Sequence, residues 1–267
     1  MPSVKDMMNM SGRSALITGA TGHLGSLVAD TLAELGAELI LVDREGADFE
    51  NLENNLHAKW NAKFTSFICD LENEAERNIL IGKIHQRKKP IHCLVNNAAF
   101  VGTSELSGWI APLNAQSLET WRRAIEVNLT APFHLSRDLA PLLSDSRNGN
   151  IINIASIYGE YAPDWNLYEG LNMASPAAYA ASKAGLIQLT RWLATTIAPD
   201  IRVNTISPGG IERGQSQEFI KRYKAKTPLG RMATENDFRG SVAYLASDLS
   251  LYVTGQILRV DGGWGVW

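Results

Sequence analysis

Tyr179 and Lys183 stand four residues apart in Tyr179-Ala-Ala-Ser-Lys183, at the start of a segment with helical periodicity. That spacing puts a phenol and an ammonium on one helix face. An unperturbed phenol titrates near 10, too high for a base at neutral pH, but a nearby cation favours the phenolate. The pair therefore suits proton transfer to or from a substrate oxygen. A second group lies near the N-terminus, where Thr18-Gly19-Ala20-Thr21-Gly22-His23-Leu24-Gly25 joins an apolar run to a helical one. Glycines there let the backbone turn tightly against a pyrophosphate, and a helix N-terminus offers N–H donors and positive partial charge. Asp43 ends the next apolar run, where an acid hydrogen-bonds adenosine ribose hydroxyls and repels a 2′-phosphate. Asp43 argues for NAD over NADP, whereas Arg44 beside it could pair with that phosphate and argues the other way.

Positioning these groups takes an alternation of short β-rich runs and longer helix-period segments. Strands are expected at 14–18, 38–42, 64–69, 91–96, 150–155, 201–206 and 256–260. Helices are expected at 24–35, closed by Gly36, and at 48–60, 74–87, 117–143 and 177–198. Near-continuous apolar strands between helices mean a parallel sheet covered on both faces. The expected fold is α/β: one domain over 1–267, a doubly wound parallel sheet of about seven strands, or Rossmann fold. Residues 1–12 are expected as a flexible N-terminal extension.

Composition narrows the function classes. The 267 residues are 45% hydrophobic and 20% charged, an ordinary globular balance. A net charge of −3, from 25 basic and 28 acidic residues, lacks the footprint of a nucleic-acid binder. No apolar run approaches the roughly 20 residues of a transmembrane helix, and residues 1–10 lack the apolar stretch of a secretory signal. Cys69 and Cys93 lie in apolar runs and read as reduced core thiols of a cytoplasmic protein. Five scattered histidines give no ligand spacing, so no metal site is expected.

From Ser14 to Gly263 the chain resembles the short-chain dehydrogenase/reductase family. The resemblance rests on an ordered set: the glycine turn, Asp43, Asp70 in Cys69-Asp70-Leu71, Asn96-Asn97-Ala98-Ala99, and Asn128 in Val127-Asn128-Leu129. Ser156, Tyr179 with Lys183, Ser207-Pro208-Gly209-Gly210 and the Val260-Asp-Gly-Gly263 tail complete it. The resemblance implies an NAD(P)-dependent oxidoreductase acting on a small molecule as a homodimer or homotetramer. It implies Tyr179 as general acid/base, Ser156 bonded to the same substrate oxygen, Lys183 on the nicotinamide ribose and Asn128 on a relay water. Cofactor contacts are implied at Gly19, Thr21, Gly22, His23 and Leu24, at Asp43 and Arg44, and at Asp70 and Leu71. Further contacts are implied at Asn96, Asn97, Ala98 and Ala99, at Tyr179 and Lys183, and at Pro208, Gly209 and Ile211.

Three features depart from short-form members of the family. The turn reads Thr-Gly-x-x-Gly-x-x-Gly, the spacing of the extended branch, with His23 in place of the middle glycine. Ser156 and Tyr179 are 23 positions apart, against roughly a dozen in typical members. The added segment, 158–174, carries Tyr158, Tyr161, Trp165 and Tyr168 among polar residues. It suits a polar ring-bearing ligand, or equally an oligomer contact or a surface loop. Arg213 stands where the family often has a threonine, and its fork suits an anionic substrate. Lys221, Arg222, Lys224, Lys226 and Arg231 read as a solvated basic face. Trp264 and Trp267 suit burial in a neighbouring subunit. The resulting expectation is a secondary alcohol–ketone oxidoreductase using NAD on a sugar-like or polyol substrate. A weaker likeness is to short-chain oxidoreductases of bacterial surface-sugar pathways. The alternatives are an NADP-dependent reductase of a hydrophobic keto compound and a non-catalytic dinucleotide sensor.

Overall fold

The computed structural model describes residues 1–101, 106–146 and 148–267. Seven parallel strands form one sheet in the order β3-β2-β1-β4-β5-β6-β7. They are β1 (Ser14–Thr18), β2 (Glu38–Asp43), β3 (Phe64–Ile68), β4 (Cys93–Asn96), β5 (Gly149–Ile154), β6 (Ile201–Pro208) and β7 (Ile257–Val260). The helices are α1 (Val4–Met8), α2 (His23–Glu34), α3 (Phe49–Trp60), α4 (Glu74–Gln86) and α5 (Leu118–Ile125). They continue with α6 (Ala131–Ser144), α7 (Ala177–Thr196), α8 (Gln217–Lys226) and α9 (Arg239–Ala246).

Every residue of β1 and β4 is buried, because helices cover both faces of the sheet centre. Alternation sorts their side chains. Ala15 and Ile17 join Leu27 and Val28 of α2 and Val242 of α9 in one core layer. Leu16 faces the other way, toward Leu80 and Ile84 of α4 and Leu135 and Leu139 of α6. At the sheet edge β3 is only partly covered, and Ile68 is exposed. After β3 the chain crosses back over β2 and β1 to lay down β4, so the winding reverses between β1 and β4. Ligands of such sheets bind at that reversal, outside the carboxyl ends of the strands.

All seven expected strands appear in order, but α8 and α9, between β6 and β7, were not among the expected helices, and two segments depart from expectation. Residues 1–12 contain the short helix α1 with a Ser3–Asp6 capping box, and Met10 is fully buried, its N–H bonded to the Leu35 carbonyl. The segment 117–143 is not one regular helix: a π-turn at Glu126–Thr130 separates α5 from α6. Ala131 N–H bonds the Glu126 carbonyl, five residues back. Pro132 has no N–H to give the Asn128 carbonyl, its partner in a regular helix. Among the described residues no helix is long and apolar enough to cross a membrane.

Candidate active site

The expected site residues gather at the carboxyl ends of the strands. Thr18 closes β1, and its hydroxyl accepts the N–H groups of Asn97 and Ala98, each at 3.1 Å. The Asn97 amide donates to the Thr18 and Gly19 carbonyls, both at 3.0 Å, so β4 clamps the glycine turn. Space explains two of the glycines. A Cβ on Gly25 would lie 1.9 Å from the Gly19 carbonyl oxygen, and one on Gly19, at φ +63°, would lie 2.8 Å from Ala98 Cα. Gly22 caps α2 without any side-chain bond, leaving that end to backbone donors, while Leu24 turns its side chain into the core. His23 is exposed on the first turn. A phosphate-bearing group fits this cradle.

Asp43 ends β2 facing the turn: one carboxylate oxygen accepts Thr21 N–H at 2.9 Å and the Thr21 hydroxyl at 2.8 Å. Arg44 is exposed beside it and donates its N–H to the other oxygen at 2.9 Å. Asp70 is exposed beyond β3, with its carboxylate on Glu72 N–H. Leu71 is buried, and its carbonyl takes Arg77 Nη1. Ala99 follows the clamp residues and is partly buried. Gly209 N–H bonds the Val260 carbonyl at 2.9 Å, just after the buried Pro208, and Ile211 pairs with Ala233. Asn96 departs from expectation. It is buried in the sheet, donating to Asn153 Oδ1 at 2.8 Å, so it braces β4 against β5 instead of lining a cofactor.

The four proposed catalytic positions come together. Ser156 follows β5, and its oxygen accepts Tyr158 N–H at 3.2 Å, which leaves the hydroxyl proton free to donate. Lys183 is 2% exposed, donates to the Ile154 carbonyl at 2.7 Å, and lies 5.8 Å from the Tyr179 ring centroid. Close packing permits this. A Cβ on Gly159 would come within 2.7 Å of the Lys183 carbonyl carbon. Asn128 sits on the π-turn, taking Phe100 N–H on Oδ1 at 2.6 Å and donating to Ser182 Oγ at 3.0 Å. Ser182 in turn donates to the Tyr179 carbonyl at 2.8 Å. Ser182 and Thr18 are braces that motif reading missed; both stand inside quoted motifs, but Asn128, Asn97 and Ala98, which donate to their hydroxyls, are distant in sequence.

Electrostatics differ from the expectation for Tyr179. Burial pushes its phenol up, while the Ser156 hydroxyl and the Arg213 charge pull against that without cancelling it. Burial also lowers Lys183 to about 8. Arg213 is not free, because its Nε donates to Glu235 Oε1 at 2.7 Å. The basic run is paired as well: Arg222 with Glu218, Lys224 with Glu212, Lys226 with Asp164 and Arg231 with Asp237. Lys221 is exposed.

The 158–174 segment packs on its own chain. Leu167 and Tyr168 join Phe219, Ile220 and Tyr223 of α8 together with Trp264, and Tyr158 and Tyr161 lie against them. Trp264 is therefore buried within its own chain, contrary to expectation, while Trp267 is exposed. Trp165 is the aromatic of the insertion left most open to solvent.

Known proteins resemble this chain in sequence and in fold. Residues 19–265 match the family model described as enoyl-(acyl carrier protein) reductase. Nodulation protein G of Rhizobium meliloti is 34% identical over 262 residues, spanning 96% of this chain and 98% of that protein. A 3-oxoacyl-(acyl-carrier-protein) reductase of Rickettsia bellii is also 34% identical over 262 residues, with the same coverage of 96% and 98%. Among solved structures, a short-chain dehydrogenase of Leptospira borgpetersenii with bound NAD+ superposes at a TM-score of 0.82. It is 34% identical and covers 99% of this chain and 96% of its own. A gluconate 5-dehydrogenase of Burkholderia cenocepacia, in complex with NADP and tartrate, gives 0.84 at 29% identity, covering 99% and 100%. Sequence and fold agree over nearly the full length: the chain belongs to the short-chain dehydrogenase/reductase family and is an oxidoreductase.

Proposed function

We propose that this enzyme interconverts a secondary alcohol and a ketone on a polar, sugar-like or polyol substrate, with NAD as the preferred dinucleotide. The observation that carries the reading is the convergence of Ser156, Tyr179, Lys183 and Asn128 at the reversal of the sheet, beside the glycine cradle. A bound nicotinamide supplies or accepts the hydride. The chain's own residues handle the proton. Tyr179 takes it from the substrate hydroxyl in oxidation and returns it in reduction. Ser156 donates its free hydroxyl proton to the same oxygen, fixing the carbinol against Tyr179. Lys183 is the residue to hold the nicotinamide ribose, and Asn128, fixed by Phe100 and Ser182, is the residue to orient a relay water.

Asp43 supports NAD, because a carboxylate at the end of β2 accepts from ribose hydroxyls and repels a 2′-phosphate. The likeness to gluconate 5-dehydrogenase supports a polyhydroxylated substrate. The second reading, an NADP-dependent reductase of a hydrophobic keto compound, is favoured by the likeness to the 3-oxoacyl reductase. Location in the cytoplasm and a homodimeric or homotetrameric assembly remain part of the proposal.

Turnover of polyols and sugar acids with NAD and with NADP, in wild type and Tyr179→Phe, tests the reading. The expected result is polyol oxidation with NAD that falls at least a thousandfold in the variant. Turnover that survives in Tyr179→Phe defeats the catalytic assignment. Exclusive reduction of acyl ketones with NADPH favours the second reading.

A further inference from the structure

The loop between β6 and α8 holds Arg213 at the carboxyl ends of the strands, the same end of the sheet as Ser156 and Tyr179. Its backbone is pinned. Ile211 bridges to Ala233, Arg213 N–H donates to Gln215 Oε1 at 2.7 Å, and the Gln215 amide returns to the Ile211 carbonyl at 2.8 Å. The side chain is 35% exposed and gives its Nε edge to Glu235. Burial, the largest single influence, raises the Glu235 carboxyl, but the bond and charge of Arg213, its own backbone N–H and nearby His23 together hold it below the usual carboxylate range. Among the described residues neither Nη atom of Arg213 donates a hydrogen bond, so two donors of a rigid fork remain open. Its charge lies near enough to Tyr179 to act on the phenol.

We propose that Arg213 reads a carboxylate on the substrate, with Glu235 holding the guanidinium in position, which makes the substrate a polyhydroxy acid and not a neutral polyol. This deepens, and rests on, the alcohol–ketone reading above. A carboxylate takes both open Nη donors as charge-assisted bonds, whereas a hydroxyl or amide gains only a neutral acceptor bond. The charge therefore acts as a specificity element, set apart from the proton-transfer groups.

Binding separates this proposal from the reading beneath it. With protein saturated in dinucleotide, calorimetric titration compares gluconate with gluconamide, its uncharged isostere. Wild type is expected to bind gluconate at least tenfold more tightly. Arg213→Gln should level the two ligands, with dinucleotide affinity within twofold of wild type, while Glu235→Gln should keep a preference for gluconate. Tyr179→Phe should retain the full preference while losing turnover, so turnover surviving there counts against the catalytic assignment of Tyr179 alone. Gluconate bound no better than gluconamide by wild type, or not bound at all, overturns the proposal. So does an Arg213→Gln protein that keeps the preference but binds dinucleotide tenfold more weakly, which would assign the arginine to a cofactor phosphate.

Discussion

Lys183 is an ammonium placed where its charge is costly. Burial lowers it from 10.5 to about 8, a difference worth about 3 kcal/mol against the folded state while the group is charged. The sign follows from proton counts. Below about pH 8 folded and unfolded chains are both protonated, and the folded one bears the whole penalty. Between about 8 and 10.5 the unfolded chain holds a proton that the folded chain has released, so stability rises with pH across that window. Lys183→Met removes the penalty and loses the bond to the Ile154 carbonyl, which offsets about 1–2 kcal/mol. Without dinucleotide, the variant should melt roughly 2–5 °C higher than wild type at pH 7, lose its activity, and show no advantage at pH 10.5. A lower melting temperature at pH 7 would mean that nearby groups compensate the buried charge. Spacing put Tyr179 and Lys183 on one helix face, but only the ordered motif set of the family singled the pair out from an ordinary solvated face. The direction of the phenol's shift was not legible, because desolvation depends on whatever the rest of the chain lays over it.

At the scale of elements, strands read more clearly than helix interiors. The apolar runs of β1, β2 and β4 stand out because both sheet faces are covered, and the glycine turn announces the β1–α2 junction. The π-turn that presents Asn128 is harder to see, since Pro132 looks like an ordinary second residue of a helix. Its anchoring is entirely tertiary. Arg77 of α4, 1% exposed, donates from Nη2 to Glu126 at 2.6 Å and from Nε to His134 Nδ1 at 3.1 Å. His134 passes the chain on to Asp138 at 3.1 Å. The two halves of the Arg77–Glu126 pair are unequal, because the guanidinium is sealed while the carboxylate is partly solvated. Glu126→Ala leaves a buried charge without its counterion and should cost about 3–5 kcal/mol in urea unfolding. Arg77→Met removes that charge and leaves a carboxylate that water can reach, so its cost should be smaller. The reverse order would show that Arg77 matters for its bonds to Leu71 and His134 more than for its charge.

Across the whole molecule the apolar residues fall into separate clusters, and this division decides how the protein should open. Two large layers sandwich the sheet. A third unites Tyr168 and Leu167 of the insertion, Phe219 and Tyr223 of α8, and Trp264 at the C-terminal end. Sequence reading placed the aromatic insertion beside the site, but not its partners: α8 lies some 50 residues later and Trp264 almost 100. Trp264 is 4% exposed and stacks on Tyr223 at 6.0 Å between ring centroids, with Lys226 over its ring at 4.7 Å. Trp264→Ala removes the side chain that ties the C-terminal end to the insertion and α8, at a local cost of about 3–5 kcal/mol. Because the cluster stands apart from the sheet layers, that cost should appear as local opening ahead of global unfolding. In native-state hydrogen exchange, the amides of α8 and Trp165–Leu167 should lose most of their protection, while β1, β4 and β5 exchange as in wild type. Loss of protection across all strands together would mean that the third cluster and the sheet fold as one unit. Local opening would instead mean that the insertion and α8 move together against the sheet, still tied to each other by Lys226 on Asp164 and Arg222 on the Glu169 carbonyl.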